Sequence, residues 1–580
     1  MIQPLYLNFS KMISEKLFRI PIYQRHYSWK RTQRVDLFED LLTTQRFPDQ
    51  DHFMATVVCL DTCEKVKVGS ESLSLMEVVD GQQRITTLVL LLKAIEKDLS
   101  AGSINDQDEA QLLRRILSPS AGQYIILQTN HDSSHIFENY LRSGTIPDSS
   151  EVKQEADRNI HEGIVECEKF LIQWKSHNSI IDLLSLLKNR LYFIFQLFED
   201  EKAVYTIFEV LNSRGLPVDS LDKCKSMLMG ALFESSDGKS NAAIQLENNH
   251  KLWGEIYRQI GLRTVDGAEI LSFAATLHTP ETISRPLSEE DSLSYFRKLC
   301  TSPDHERNIE SVVAITKWLL KITNLLVQLH LNSRLRAITQ IRHARLLAIA
   351  IISAENANES QKTIWLRQWE IVTFRIHSVF QKDSRYSVGD YVRLSQQIVK
   401  RRIPHEDILQ SLIDLGKEYP IEDAVKLLQK EDCYNGWEEE LRYLFRKYEE
   451  YLCKERRGNI DNAAWAEIWA NSAVKSIEHI YPQGEDTYKL KDWKGKIKGG
   501  QRSMAKHIHR LGNLVLLTPS LNSQAGQKAF YDKKKIYRKS NLFQAQEICK
   551  RADWTLKEIE KRETSICKWI HEEFSDVEVI

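Results

Sequence analysis

The sequence predicts a mixed α+β, helix-rich protein of several domains. Three observations carry this. The chain has 580 residues, 42% hydrophobic and 27% charged, which is globular composition with apolar surface for more than one core. Short β-type runs, rich in Val, Met, Phe and Leu, fall toward both ends of the chain. Between them the apolar residues recur at helical spacing. Gly (22) and Pro (13) are scarce, which excludes collagen-like and long disordered chains.

The elements follow in order. Residues 1–230 mix strands and helices: Phe53–Leu60 and Leu75–Val79 read as strands, Ile85–Leu99 as a helix, and Leu191–Phe198 as another buried strand. Residues 231–425 are largely helical. Within Gln361–Phe380, for example, Ile364, Trp365, Trp369, Val372 and Ile376 stand near helical spacing. Residues 426–580 open with a helix over Trp437–Cys453. They then give strand-like segments at Val474–Ile480 and Leu514–Leu517, and finish helical. Three domains with these boundaries are expected, with no internal repeat. The start of the chain lacks a charged segment followed by a long apolar run. The longest apolar runs, such as Leu88–Leu92 and Leu346–Ile352, fall short of the ~20 residues that span a bilayer. The nine cysteines are scattered, which argues against a zinc site and for reduced thiols. A cytoplasmic protein without membrane contact is the expectation.

Lys+Arg number 79 and Asp+Glu 80, a net charge of −1. Read alone, that balance argues against a nucleic-acid binder. Between Tyr488 and Ser540, however, fourteen Lys and Arg face only Asp492 and Asp532, a net +12. Tyr488, Trp493, Phe530, Tyr531 and Tyr537 are interleaved with them. Phosphate contacts of this kind give sequence-independent, salt-sensitive binding. Lys528, Lys533, Lys534 and Lys535 are the candidate DNA contacts. Arg342–Arg345 and Lys400–Arg402 read as ordinary surface charge.

Two N-terminal segments stand out: Arg19–Trp29, which contains Tyr23-Gln24-Arg25, and Val78–Leu88, which contains Asp80-Gly81-Gln82-Gln83-Arg84. In the second, an apolar strand runs into Asp-Gly and a helix starts at once. Such a junction leaves backbone N–H groups and the positive end of the helix dipole free for phosphate. Arg84 adds a guanidinium fork suited to phosphate oxygens, and Asp80 a carboxylate for a metal or a water. A solvated turn explains the same residues. A P-loop is excluded, because no Gly-Lys-Ser/Thr ending follows.

The C-terminal zone carries Glu478-His479 in Ile477–Gln483, then His509–Leu517 with Asn513, then Asn522, and Lys528 on an expected helix. A strand with His, a second strand and a helix is the order of a ββα-metal finger. Phosphodiester hydrolysis needs a base to activate water and one divalent cation to stabilise charge. A neutral His suits the base, and one carboxylate plus one amide oxygen would hold Mg²⁺. Adjacent strand residues point to opposite faces, so Glu478 and His479 share a site only if the strand ends there. Pro482 favours such an end.

Ile-Pro-x-Tyr-Gln-Arg-x-Tyr-x-Trp followed by Asp-Gly-Gln-Gln-Arg resembles the N-terminal domain of GmrSD-type modification-dependent (type IV) restriction enzymes, which is similar to the ParB/sulfiredoxin fold. A third segment, Phe208–Gly215, fits the same resemblance. The resemblance implies that Tyr23, Gln24, Arg25, Asp80, Gly81, Gln82, Gln83, Arg84, Asn212 and Arg214 bind a nucleoside triphosphate (GTP, ATP or another), with Asp80 and Arg84 acting in its hydrolysis. Tyr27 and Trp29 belong either to that pocket or to the core.

Glu-His-Ile-x-Pro-Gln, then His-Arg-Leu-Gly-Asn-Leu-x-Leu-Leu and a later Asn, resembles the His-Me finger (HNH-like) nuclease domain of the same enzymes. It implies His479 as general base, Asn522 as a catalytic ligand of Mg²⁺ or Mn²⁺, and Asn513 as the residue that orients the His or supports its loop. Glu478 is the weaker second metal ligand, and His509 is left open. The function implied is a nucleotide-regulated, metal-dependent endonuclease of anti-phage defence that cuts or nicks DNA, with modified phage DNA as the expected target. Double-strand cutting would need a homodimer or sequential nicks. The rivals are a nucleotide-responsive DNA-binding regulator with a silent nuclease domain, and an RNA-cleaving toxin-like nuclease.

Overall fold

The computed structural model describes residues 5–21, 24, 26–47, 50–119, 124–129, 134–198, 220–236, 242–260, 265–302, 304–331, 340–355, 357–429, 432–484 and 486–578. Two compact units divide the chain, one from Met1–Ala274 with Ser288–Asn324, the other from Ala275–Leu287 with Leu325–Ile580. The helical zone expected at 231–425 is shared between them.

The first unit is built on a mixed six-stranded sheet. Its strands are β1 (Leu5–Asn8), β2 (Lys16–Arg19), β3 (His52–Val68), β4 (Glu71–Asp80), β5 (Leu127–Gln128) and β6 (Leu191–Phe198), in the order β1-β6-β3-β4-β2-β5. β3 and β4 form an antiparallel hairpin. β6 lies parallel to β3, and β2 parallel to β4. The three strands expected from sequence are present, and β3 and β4 extend beyond the expected bounds. β1, β2 and β5 have four residues or fewer, too few to display a period of two.

The helix that follows β4, Gln82–Ser100, is buried almost all round. The apolar run Leu88–Leu92 is at most 1% exposed at every position. At ~1.5–3 kcal/mol per buried Leu or Val side chain, this helix is the main apolar anchor of the unit. It packs against the helices Ile104–Leu117 and Glu155–Lys175. The helix His305–Leu331 is long and apolar enough to cross a membrane by length and composition. Its buried residues Val312, Ile315, Leu319, Ile322 and Leu326 nevertheless lie along one helical face, the pattern of a core helix.

The second unit is helical around a two-stranded antiparallel sheet. β7 (Ile477–His479) pairs with β8 (Leu514–Leu516), with Ile477 opposite Leu516 and His479 opposite Leu514. All six residues are buried. The helix Pro519–Ala525 follows β8 directly, then Phe530–Tyr537. The single helix expected over Gln361–Phe380 is instead an α-helix, Glu359–Thr373, continued by a π-helix, Phe374–Val379. All nine cysteines are free thiols, and seven of them are buried.

Candidate functional site

In the first unit the strand–turn–helix junction forms where the sequence places it. β4 ends at Asp80, Gly81 is the N-cap, and the helix starts at Gln82. Gly81 has φ +91°, and a Cβ there would lie 3.0 Å from Val57 Cγ2 and 3.3 Å from the Thr56 carbonyl oxygen. Only glycine fits that turn without strain. Asp80 Oδ1 accepts the Gly81 N–H at 2.8 Å. Arg84 is exposed, and its guanidinium carbon stands 5.8 Å from the Trp29 ring.

The glutamines turn inward, which departs from the expected ligand contacts. Gln24 Nε2 donates to the Val79 carbonyl (2.7 Å), and its Oε1 accepts from Gln82 Nε2 (3.1 Å). Gln83 Oε1 accepts the Ser28 and Trp29 N–H groups (2.8 and 3.2 Å), and its Nε2 donates to the His26 carbonyl (3.1 Å). All three side chains are buried. Their work is to clamp Gln24 and residues 26–29 onto the start of the helix, because a buried amide must find partners. Tyr23, Arg25, Asn212 and Arg214 lie outside the described residues.

Tyr27 and Trp29 take the core role. They are at most 7% exposed, and Tyr27 Oη bonds Thr87 Oγ1 at 2.8 Å. They also line a cavity of about 380 Å³ with His26, Lys30, Glu155, Asp222 and Tyr257. The His26 and Tyr257 rings are 4.6 Å apart, and Tyr257 donates to Asp222. Asp222 and Tyr257 come from distant helices, and no local motif marks them. Asp80 and Arg84 do not line this cavity.

In the second unit β7 delivers Glu478 and His479 to opposite sides, as strand alternation requires. Glu478 Oε1 accepts from Lys533 Nζ (2.7 Å) and from Tyr537 Oη (2.8 Å). Lys533 also donates to the His479 carbonyl at 2.7 Å. Both partners of this ion pair are buried, Lys533 at 0% side-chain exposure. Burial pushes the Glu478 carboxyl up and the Lys533 ammonium down, and each offsets the other's shift. Two expectations are corrected here. Lys533 is no DNA contact, since its ammonium is sealed against a carboxylate. Glu478 is already neutralised, so a metal would have to displace Lys533 to use it.

His479 Nε2 lies 3.0 Å from His509 Nδ1. Burial above all, and then His509 and Lys533, push the His479 imidazole down to about 3. His509 is also lowered by burial, with Asp432 opposing. Both rings are therefore neutral near pH 7. Tyr434 completes the cluster: its ring stacks on His509 (5.2 Å, 6°) and meets His479 edge-on (4.6 Å, 75°). Asp432 Oδ1 accepts the Tyr434 N–H (2.8 Å), and the Cys433 N–H donates to the His509 carbonyl (2.9 Å). Tyr434 and Asp432 precede the motif by more than forty residues, and nothing in the sequence spacing links them to it.

Asn513 is fully buried and saturated. Its Oδ1 accepts from the Tyr481 N–H (2.8 Å) and Trp554 Nε1 (3.0 Å), and its Nδ2 donates to the Tyr481 and Ile508 carbonyls (2.9 and 2.8 Å). These bonds make it the clamp of the loop after β7; they leave it no atom for chemistry. Asn522 Nδ2 donates to the Lys475 and Ile477 carbonyls (2.8 and 3.2 Å), which leaves its Oδ1 as the remaining polar atom. That oxygen suits a hard cation. Among the described residues no group of three or more His, Cys, Asp and Glu is arranged to hold a metal ion.

The basic segment is less bare than its count suggests. Lys489, Lys496, Arg510, Lys533 and Lys535 pair with Asp486, Asp553, Glu563, Glu478 and Asp532. Lys534 Nζ donates to the Arg551 carbonyl at 2.7 Å. Lys528 is exposed, as are Lys491, Lys494, Lys498, Arg502, Lys506, Arg538 and Lys539.

Comparison with known families adds two matches. The family model of the GmrSD restriction endonuclease N-terminal domain matches residues 7–229, and that of the GmrSD restriction endonuclease C-terminal domain matches residues 421–569. No curated protein matches the chain.

Proposed function

Because the chain belongs to the GmrSD restriction endonuclease family, and is thus a DNA endonuclease of type IV restriction, we propose that His479 is the base of its cutting site. We further propose that the Asp80–Arg84 junction binds and hydrolyses a nucleoside triphosphate that governs cutting of modified phage DNA. The observation that carries the reading is the placement of His479: an imidazole at the end of β7, with Nε2 held by His509 and Asn522 from the following helix tied to the same strand. A neutral imidazole can take a proton from water as that water attacks phosphorus. A divalent cation held by Asn522 would supply charge stabilisation on the phosphate and leaving oxygen. The first unit contributes a helix N-terminus capped by glycine with Arg84 exposed beside it, a suitable seat for phosphate.

The testing experiment is a cleavage panel on modified and unmodified phage DNA, with Mg²⁺ or Mn²⁺ and each NTP in turn. Selective, NTP-dependent cutting of modified DNA is expected; NTP-independent cutting of all DNA rejects the regulatory part. Undiminished NTP turnover in Asp80→Ala and Arg84→Ala rejects the N-terminal site. Preference for RNA over duplex DNA rejects the substrate. One observation favours a second reading, a DNA-binding regulator with a silent nuclease domain: Glu478 is already paired with Lys533. Titration with Mn²⁺ separates the two, since a silent site takes up no metal.

A further inference from the structure

We infer that His509 is the positioning residue of the cutting site: it accepts the His479 Nε2–H, and so leaves the unprotonated Nδ1 of His479 facing the water. The inference rests on the reading of His479 as base. His479 Nε2 and His509 Nδ1, two imidazole nitrogens 3.0 Å apart, share one proton in an N–H···N bond. If His509 donated, the His479 lone pair at Nε2 would be spent and its Nδ1 would carry hydrogen, leaving no basic nitrogen. If His509 accepts, Nδ1 keeps its lone pair. No hydrogen bond engages His479 Nδ1 among the described residues.

The His509 ring is itself fixed. Tyr434 stacks on one face, and the Cys433 N–H holds its carbonyl at 2.9 Å. The loop that brings Tyr434 there is tied by Asp432, whose oxygens accept from Tyr434 N (2.8 Å), Asn435 N (3.1 Å) and Asn435 Nδ2 (2.6 Å). This arrangement parallels the general rule that a catalytic imidazole is oriented through its second nitrogen. When Nδ1 takes the water proton, the Nε2–H···Nδ1 bond becomes charge-assisted and strengthens.

The test uses the full-length protein on modified phage DNA with Mg²⁺ and NTP, measuring kcat, KM and melting temperature. His479→Ala is the control for the underlying reading: if it still cuts, that reading fails and the inference with it. With His479→Ala silent, His509→Ala is expected to lower kcat on the order of 10²-fold, the scale of lost base catalysis, with KM within about twofold. His509→Asn, whose Oδ1 can accept the same N–H, is expected to recover about tenfold of that loss. A His509→Ala kcat within about twofold of wild type overturns the inference. So does a His509→Asn variant as slow as His509→Ala. Should His509→Ala fail to fold, His509→Asn decides alone: a kcat within about tenfold of wild type upholds the inference, and one about 10²-fold down overturns it.

Discussion

Lys533 stands among three consecutive lysines, yet it is the buried one. Helical spacing explains this: Phe530, Lys533, Ile536 and Tyr537 form the inward stripe of their helix, while Lys535 faces out. The stripe is visible in the sequence, but a lysine run reads first as surface charge, and the counter-ion, Glu478, lies 55 residues away. Lys533→Ala should cost about 3–5 kcal/mol, because it strands a buried carboxylate. A Glu478→Gln/Lys533→Met double variant should melt well above the single one, and equal melting temperatures would contradict the pairing. Asn513→Ala removes four buried hydrogen bonds and should lower stability by about 2–4 kcal/mol, read as a fall in chemical-denaturation midpoint. The type and spacing of Asn513 were legible in the sequence. Its saturation was not, since Tyr481, Ile508 and Trp554 come from three different places in the chain.

Whole elements were more legible than contacts. β6 has the expected bounds, and the Asp80-Gly81 junction follows from an apolar strand, an Asp-Gly pair and an apolar helix in direct succession. The π-helix Phe374–Val379 could not be read, because a single π turn shifts spacing by less than the scatter of apolar residues. Gly81→Ala should cost about 1–3 kcal/mol for a residue forced to positive φ, and NTP turnover should fall with it. His343 and His377 show how helix packing creates pH dependence. Their rings are 5.3 Å apart, and burial, then His377, holds His343 down to about 4. The unfolded His titrates near 6.5, so the unfolded chain takes up protons first. Stability from this group is full above pH 6.5 and falls as pH drops toward 4. The melting temperature of His343→Leu should decline less than that of wild type over this window; parallel declines would refute the assignment.

Over the whole molecule, a net charge of −1 divides into +12 between residues 488 and 540 and about −13 elsewhere. The described ion pairs neutralise five of the fourteen cations, and the exposed remainder sets the expected phosphate contacts. DNA affinity should therefore fall steeply with salt, by roughly 0.9 log unit per log unit of salt for each contact. A Lys491→Glu/Lys494→Glu/Lys498→Glu variant should bind DNA at least tenfold more weakly while its NTP turnover stays at the wild-type level. The two family matches, 7–229 and 421–569, put the N-terminal and C-terminal domains of a GmrSD restriction endonuclease on one chain, a pairing that motif order had already suggested. The most direct measurement is cleavage of modified phage DNA by wild type and His479→Ala, side by side, in Mg²⁺ with and without NTP. The account predicts NTP-dependent cutting by wild type and none by His479→Ala under any condition. Equal cutting by the two proteins would contradict it.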